Sequence, residues 1–324
     1  MIPLSTRTQR RTLLRRSNGW LWAAFLSVLL VALAPSVPAS NAELRGVEHE
    51  VEQREVELPL PGEKRSVSVQ IRAPKFRRVG EKLPVVMVFG GFENAARVLD
   101  LFTVQKRWVL ASFDYPFRGR RPLHFPESVW DIREARRMVR LTPIAMRALV
   151  RRISEWEPSA DSARRILVGA SLGGPFAVQA ASQLSSGELS ALVLVHAFGD
   201  VRVAATASLE AVFQRAFPAF PALASRMGRI FGQGVWRILG SPDPVRDAHH
   251  LPEGLRVYFL RAGEDSRIPA LAVDRLEEAL REAPVRLDVE RQAGDHLRPG
   301  DRVQLQEALK AVDAWLSRQG LIGS

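Results

Sequence analysis

The part of this chain best suited to covalent chemistry is a serine at the end of an apolar run, with glycines two residues to either side. Arg165-Ile166-Leu167-Val168 leads into Gly169-Ala170-Ser171-Leu172-Gly173-Gly174, and Phe176 to Ala181 behind it has helix-forming composition. A strand that turns sharply into a helix at a serine lifts the hydroxyl clear of both elements and strains the backbone at the turn. Glycines at 169 and 173 let strand and helix close up without colliding side chains. The helix starting there aims its free N–H groups and positive end at any oxyanion formed beside Ser171. On composition alone Gly-x-Ser-x-Gly arises roughly once in ten chains of this length, so the flanking strand and helix carry the information. The plainer reading is a surface turn with an ordinary serine. A base and an acid farther along decide between the two.

Positioning such a turn requires a sheet, and the hydrophobic pattern supplies one. Ser66 to Ile71 alternates polar and apolar, as a half-buried edge strand does, and a further edge strand is expected near Val51 to Leu58. Pro84 to Phe89 and Trp108 to Phe113 are continuous apolar runs, the signature of strands covered on both faces. Ile166 to Val168, Ala191 to Val195, Leu255 to Leu260 and Val285 to Val289 complete the set. Helical patterns fall between them: 95–105, a long arginine-rich stretch over 127–156, 269–281 and 301–318. Thr142-Pro143 is expected to break the long stretch, with Thr142 as N-cap and Pro143 at the first helical position. Strands alternating with helices imply an α/β, doubly wound, mostly parallel sheet of about eight strands.

Residues 200–250 interrupt that alternation. They are rich in Ala, Phe and Pro and read as short helices inserted as a cap over the carboxyl edge of the sheet. Most of Phe213, Phe217, Phe220, Phe231 and Trp236 should pack the cap, and a minority should line a pocket. The expected organisation is a leader over 1–42, a flexible lead-in over 43–65, a core over 66–199 and 251–318, and the cap over 200–250.

The leader reads as an export signal. Arg7 to Arg16 are basic, Trp20 to Ala34 form a 15-residue apolar run, and small residues follow to Ala42. A helix of that length spans about 22 Å, short of the roughly 30 Å hydrocarbon core, so a periplasmic or secreted protein is expected rather than one held by a signal anchor. Gln9-Arg10-Arg11-Thr12-Leu13-Leu14 resembles a twin-arginine signal, and the general secretory route stays open beside it. The leader also offers transient membrane association. The net charge is +11, but Arg7, Arg10, Arg11, Arg15 and Arg16 account for five of it in a leader without acids, leaving +6. The rest is scattered arginine, without a basic stripe or interleaved aromatics, so no nucleic-acid partner is expected. Arg133, Arg136, Arg137 and Arg140 read as a solvated helix face. There is no cysteine, which excludes disulfides, a thiol nucleophile and a thiolate metal site.

Two loops in the last third supply the remaining chemistry. Gly263-Glu264-Asp265-Ser266-Arg267-Ile268-Pro269 follows the strand at Leu255–Leu260, and Ala293-Gly294-Asp295-His296 follows the last strand. With these in place the chain, from about residue 66 to 318, resembles the α/β-hydrolases. That family carries nucleophile, acid and base in the order Ser…Asp…His, the acid after the penultimate strand and the histidine after the last. The resemblance implies Ser171, Asp265 and His296 as a catalytic triad. It implies an oxyanion hole from the Leu172 N–H and one N–H of the Gly90-Gly91-Phe92 turn, either Gly91 or Phe92. No metal or organic cofactor is needed for such a triad. Asp265 stands two residues after Gly263 where the family often has three, so Glu264 is a substitute in the same loop. Asp200 is the other place such folds put the acid. Asp295 adjoins the histidine and is not expected at its Nδ1. His124, His196, His249 and His250 lack the placement of His296. Asp114 to Gly119 reads as structural or pocket-lining. The segment from Pro158 to Val168, with Asp161, resembles dienelactone-hydrolase or acyl-peptidase-type members. The implied activity is hydrolysis of an acyl bond, most simply a carboxylic ester, in a small apolar acyl substrate. A thioester or peptide shares the same chemistry. The competing class is a non-catalytic binding or envelope interaction protein of this fold, for which the shortened acid loop and the absence of histidine before Gly90-Gly91 are the cues.

Overall fold

The structure, a computed structural model, describes residues 51–91, 95–102, 108–116, 128–240, 242–298 and 301–323. The leader, Phe92 and His124 lie outside the described residues. Eight strands form one sheet: β1 (Val51–Pro59), β2 (Ser66–Pro74), β3 (Leu83–Phe89), β4 (Val109–Phe113), β5 (Ala160–Ala170), β6 (Ala191–Val195), β7 (Arg256–Ala262) and β8 (Arg286–Gln292). Their order is β1-β2-β4-β3-β5-β6-β7-β8. β2 runs antiparallel to β1 and to β4, and every other neighbouring pair is parallel. Every residue of β3, β4 and β6 is buried, as their unbroken apolar runs require.

Alternation along each central strand divides the core in two. Leu167, Leu192, Leu194 and Phe259 face one layer, with α2 (Ser128–Trp156), α3 (Gly173–Ala181) and α7 (Ala270–Glu282). Ile166, Val168, Val193, Val195 and Leu260 face the other, with α1 (Ala95–Leu101) and α8 (Arg302–Arg318). Between β6 and β7 the chain forms α4 (Val201–Ala216), α5 (Pro221–Leu239) and the short α6 (Pro244–Ala248). α4 and α5 lie against one another. Gly228 and Gly232, four apart on one face of α5, allow this approach, because a Cβ on them would meet the Cα of Glu210 at 2.5 Å and of Thr206 at 2.7 Å. Among the described residues no helix is long and apolar enough to cross a membrane.

Three expectations are corrected. β1 is the edge strand expected near Val51 to Leu58, but it pairs with β2 over nine residues, which places β2 inside the sheet rather than at its margin. The break at Thr142-Pro143 does not occur. α2 runs through it as one 29-residue helix, and the fully buried Thr142 hydroxyl donates to the Met138 carbonyl at 2.7 Å. The buried stripe of Met138, Leu141, Ala145 and Leu149 on the core outweighs the lost proline N–H. The cap helices are also longer than expected, 16 and 19 residues for α4 and α5.

Candidate active site

Ser171 sits where β5 ends and α3 begins, with φ at +51°, a conformation uncommon for a residue with a side chain. Its N–H donates to the Val195 carbonyl at the end of β6, 2.9 Å away, and its carbonyl accepts from Gly174 at 3.0 Å, so the turn is pinned on both sides. A Cβ at Gly173 would lie 2.2 Å from the Phe89 carbonyl oxygen, so only glycine lets α3 start this close to β3. The Leu172 N–H heads the first turn of α3, where an α-helix supplies no acceptor of its own. Gly90 and Gly91, leaving β3, line the same cavity as Ser171. The Tyr115 hydroxyl donates to the Gly90 carbonyl at 2.5 Å, and Asp114 accepts from the Ala95 N–H at 2.6 Å. The start of the Asp114 loop therefore braces the Gly90-Gly91 turn and the start of α1.

The three side chains read from the sequence converge. Ser171 Oγ lies 2.8 Å from His296 Nε2, and His296 Nδ1 lies 2.7 Å from Asp265 Oδ2. A carboxylate only accepts, so a neutral ring carries its proton on Nδ1 and presents the Nε2 lone pair to the serine hydroxyl. The other Asp265 oxygen accepts from the N–H groups of Arg267 at 2.9 Å and Ile268 at 2.8 Å. Burial pushes the Asp265 carboxyl up. The hydrogen bond and charge of His296, together with those two N–H groups, outweigh burial and hold it below its ordinary value. The short Gly263-to-Asp265 spacing is compatible with this contact because the two loops are tied together: Gly263 donates to the Gln292 carbonyl at 2.7 Å and Glu264 to the Gly294 carbonyl at 3.0 Å. Glu264 itself is exposed.

Asp200 is not brought to the histidine. Its carboxylate N-caps α4 by accepting from Val203 N–H at 2.9 Å and pairs with Arg275. His249 lies near Glu282 on the surface. Two other residues matter more than their sequence positions suggested. Asp295 bridges the acid loop and the histidine loop: one oxygen accepts from the N–H groups of Ser266 and His296, both at 2.7 Å, and the other from the Ser266 hydroxyl at 2.8 Å and Arg298 at 2.6 Å. Burial raises its pKa, but these donors reverse the effect and leave it well below the ordinary carboxylate range. His196, at the end of β6, is buried with φ at +48° and its ring centroid 5.8 Å from that of His296. A positive φ without glycine is a local strain that no residue spacing signals.

A cavity of about 690 Å³ opens on Ser171. On one side α4 lines it with Val201, Ala204, Ala205, Ala207, Ser208, Ala211 and Arg215; on the other it reaches the β3-β5-β6 sheet face under α1 and α8. The expectation that some cap aromatics line the pocket is corrected for those whose side chains are described. Phe213 and Phe231 stack on one another between α4 and α5, centroids 5.4 Å apart, while Phe217 and Phe220 are exposed. Alanine spacing turns the small-residue face of α4 to the cavity and its large residues to α5.

The strand order, the serine turn after β5 and the loops after β7 and β8 define an α/β-hydrolase fold. Solved structures of that fold superpose on the chain. A Pyrococcus horikoshii acylaminoacyl peptidase matches with TM-score 0.56 and 16% identity over 83% of this chain and 42% of its own. A protein described as a putative dienelactone hydrolase, from Klebsiella pneumoniae, matches with TM-score 0.56 and 18% identity over 83% of this chain and 99% of its own. A Mycobacterium tuberculosis puromycin-hydrolyzing peptidase matches with TM-score 0.61 and 20% identity over 87% of this chain and 41% of its own. The chain thus spans about two fifths of the length of the two peptidases and nearly all of the dienelactone hydrolase. No family model matches the sequence, and no curated protein matches it.

Proposed function

We propose that the chain is an exported serine hydrolase that cleaves a carboxylic ester through an acyl-enzyme. The observation carrying this reading is the continuous relay from Ser171 Oγ to His296 Nε2 and from His296 Nδ1 to Asp265, opening on a largely apolar cavity. His296 takes the hydroxyl proton as Ser171 Oγ bonds to the ester carbonyl carbon, and Asp265 stabilises the imidazolium. The oxyanion forms against the Leu172 N–H and one N–H of the Gly91-Phe92 pair, each such donor worth about 3 kcal/mol in the transition state. Collapse breaks the carbonyl–oxygen bond, and His296 returns the proton to the departing alcohol. Water, deprotonated by His296, then releases the acid and regenerates Ser171. The leader supports delivery to the periplasm or beyond.

The test is a fluorophosphonate probe applied to the purified protein and to Ser171→Ala, with the adduct located by peptide mass. Adduct on Ser171 that disappears in the variant is the expected result. A folded protein that takes no label and turns over no aryl ester would sink the hydrolase reading in favour of a binding role.

A further inference from the structure

We propose that the sheet-side arm of the cavity is the acyl subsite, built for an unbranched alkyl chain of medium length rather than for a peptide. The inference rests on the hydrolase reading for its chemistry and on separate residues for its selectivity. Val88, Val168 and Val195, from adjacent parallel strands, form the floor immediately below Ser171. Leu305, Ala308, Leu309 and Val312 form one wall, and their spacing of three, one and three residues is a single face of α8. Val98 in α1 and Phe102, just beyond its end, line the same arm. Among the described residues this arm has no charged side chain. The charged groups of the lining, Arg215, Asp265, Arg267 and Arg298, come from α4 and the two loops. From Leu305 to Val312 the α8 face runs about 10 Å, a length suited to a chain of medium size. A peptide laid there would bury amides against hydrocarbon with nothing to bond, whereas methylenes gain by the same burial. The leaving group then exits on the cap side, past alanines that leave it room.

The experiment is a series of p-nitrophenyl esters from acetyl to dodecanoyl, on the full protein and on Leu309→Trp and Ala308→Phe, with melting curves to confirm folding. In the wild type kcat/KM should rise about fourfold per methylene and level off once the chain outgrows the arm. Either substitution should lower the octanoyl-to-acetyl ratio at least tenfold. A flat or falling wild-type series, or a ratio unmoved in both folded variants, overturns the subsite. Failure of the hydrolase reading shows differently, as absent labelling and no turnover of any ester. In that case decanoate binding reports on the arm: binding weakened tenfold by Leu309→Trp sustains it, and no binding overturns it.

A separate set of contacts assigns His196 as a positioning residue for His296. The geometry points to its Nδ1 as the acceptor that holds the histidine loop, since Leu297 N–H donates to it at 3.1 Å. Its Nε2 faces Gln292 Oε1 at 3.1 Å, and Gln292 in turn donates to the Gln304 carbonyl at 2.7 Å, which fixes the ring and its tautomer. Burial, then the neighbouring His296, push His196 down to about 4, against the opposing pull of Gln292, Asp265 and Asp295, so its lone pair is present at neutral pH. Asparagine places an acceptor near the Nδ1 position and tolerates the positive φ; glycine tolerates the φ but offers no acceptor. His196→Asn should therefore keep kcat within about threefold, and His196→Gly should lose roughly tenfold in kcat with KM little changed. Equal kcat in both variants, or a change in KM alone, overturns the assignment.

Discussion

Around His296 nearly every contact is polar and directional, whereas across the cavity the cap is held by shape. The shelf formed by the loops after β7 and β8 uses one carboxylate, Asp265, to orient the ring and another, Asp295, to tie the loops to each other. The cap has a small core of its own, Leu209, Phe213 and Ala224 with Met227 and Phe231 around them. It leaves Phe217, Phe220, Leu223 and Ile230 exposed. Hydrogen bonds fix atoms to within tenths of an ångström, which proton transfer requires. Packed small residues set only a volume, which is enough to choose among substrates. The contrast assigns the chemistry to the shelf and selectivity to the walls facing it.

The sharpest way to break this contrast is at two aspartates, Asp265 in the shelf and Asp200 at the N-cap of α4. Asp265→Asn should leave the fold intact and lower kcat by about 10⁴, because an amide can present its N–H and stabilise the wrong imidazole tautomer. Asp200→Ala, at the start of the cap, should cost about 1 kcal/mol of stability through the lost N-cap and change kcat less than threefold. Steady-state kinetics and melting on the two variants check both. Comparable losses of kcat would show that the acid role is not confined to the shelf.

These aspartates also show what the sequence makes legible. Ser171, Asp265 and His296 announce themselves through a motif and through chain order relative to strands, and the strands are plain because both faces are buried. Asp295 and His196 act by accepting backbone N–H groups across loops, and such bonds impose no spacing. Their one visible cue is adjacency: Asp295 precedes His296, and His196 ends the strand beside the serine. Thr142-Pro143 misleads for the opposite reason, since a strong local stop signal yields to a buried tertiary stripe. Helices lie between β6 and β7 where the alternation of the sequence breaks, but the close approach of α5 to α4, which Gly228 and Gly232 allow, has no counterpart in the residues of α4.

Next in size is the tether. Asp295→Asn keeps the shape but weakens four contacts at once, and a small displacement of the histidine should lower kcat about 10- to 100-fold with KM little altered. Acid weakens the same contacts in the wild type. Asp295 and Asp265 both have folded pKa values below the ordinary 3.8, so each contributes stability that is present above that pH and lost as pH falls through the folded values. The melting temperature should therefore drop steeply below about pH 4, and Asp295→Asn should flatten part of that drop. Parallel curves for wild type and variant would show that the tether carries none of the pH dependence.

The smallest effect on catalysis is expected where stability suffers most. Phe213 is buried and stacks on Phe231, so Phe213→Ala should cost the cap about 3 kcal/mol. Because no residue of that cluster lines the cavity, turnover of an acetyl ester should change less than threefold. Preference among leaving groups, which the proposed acyl subsite directs toward Ala207, Ala211 and Arg215, should broaden as the α4 face loses its support. Kinetics with acetyl esters of small and bulky alcohols separate the two quantities. A loss of acetyl-ester turnover as large as that of Asp295→Asn would mean that the cap holds the reacting atoms as well as the substrate, and the division between the two regions would have to be given up.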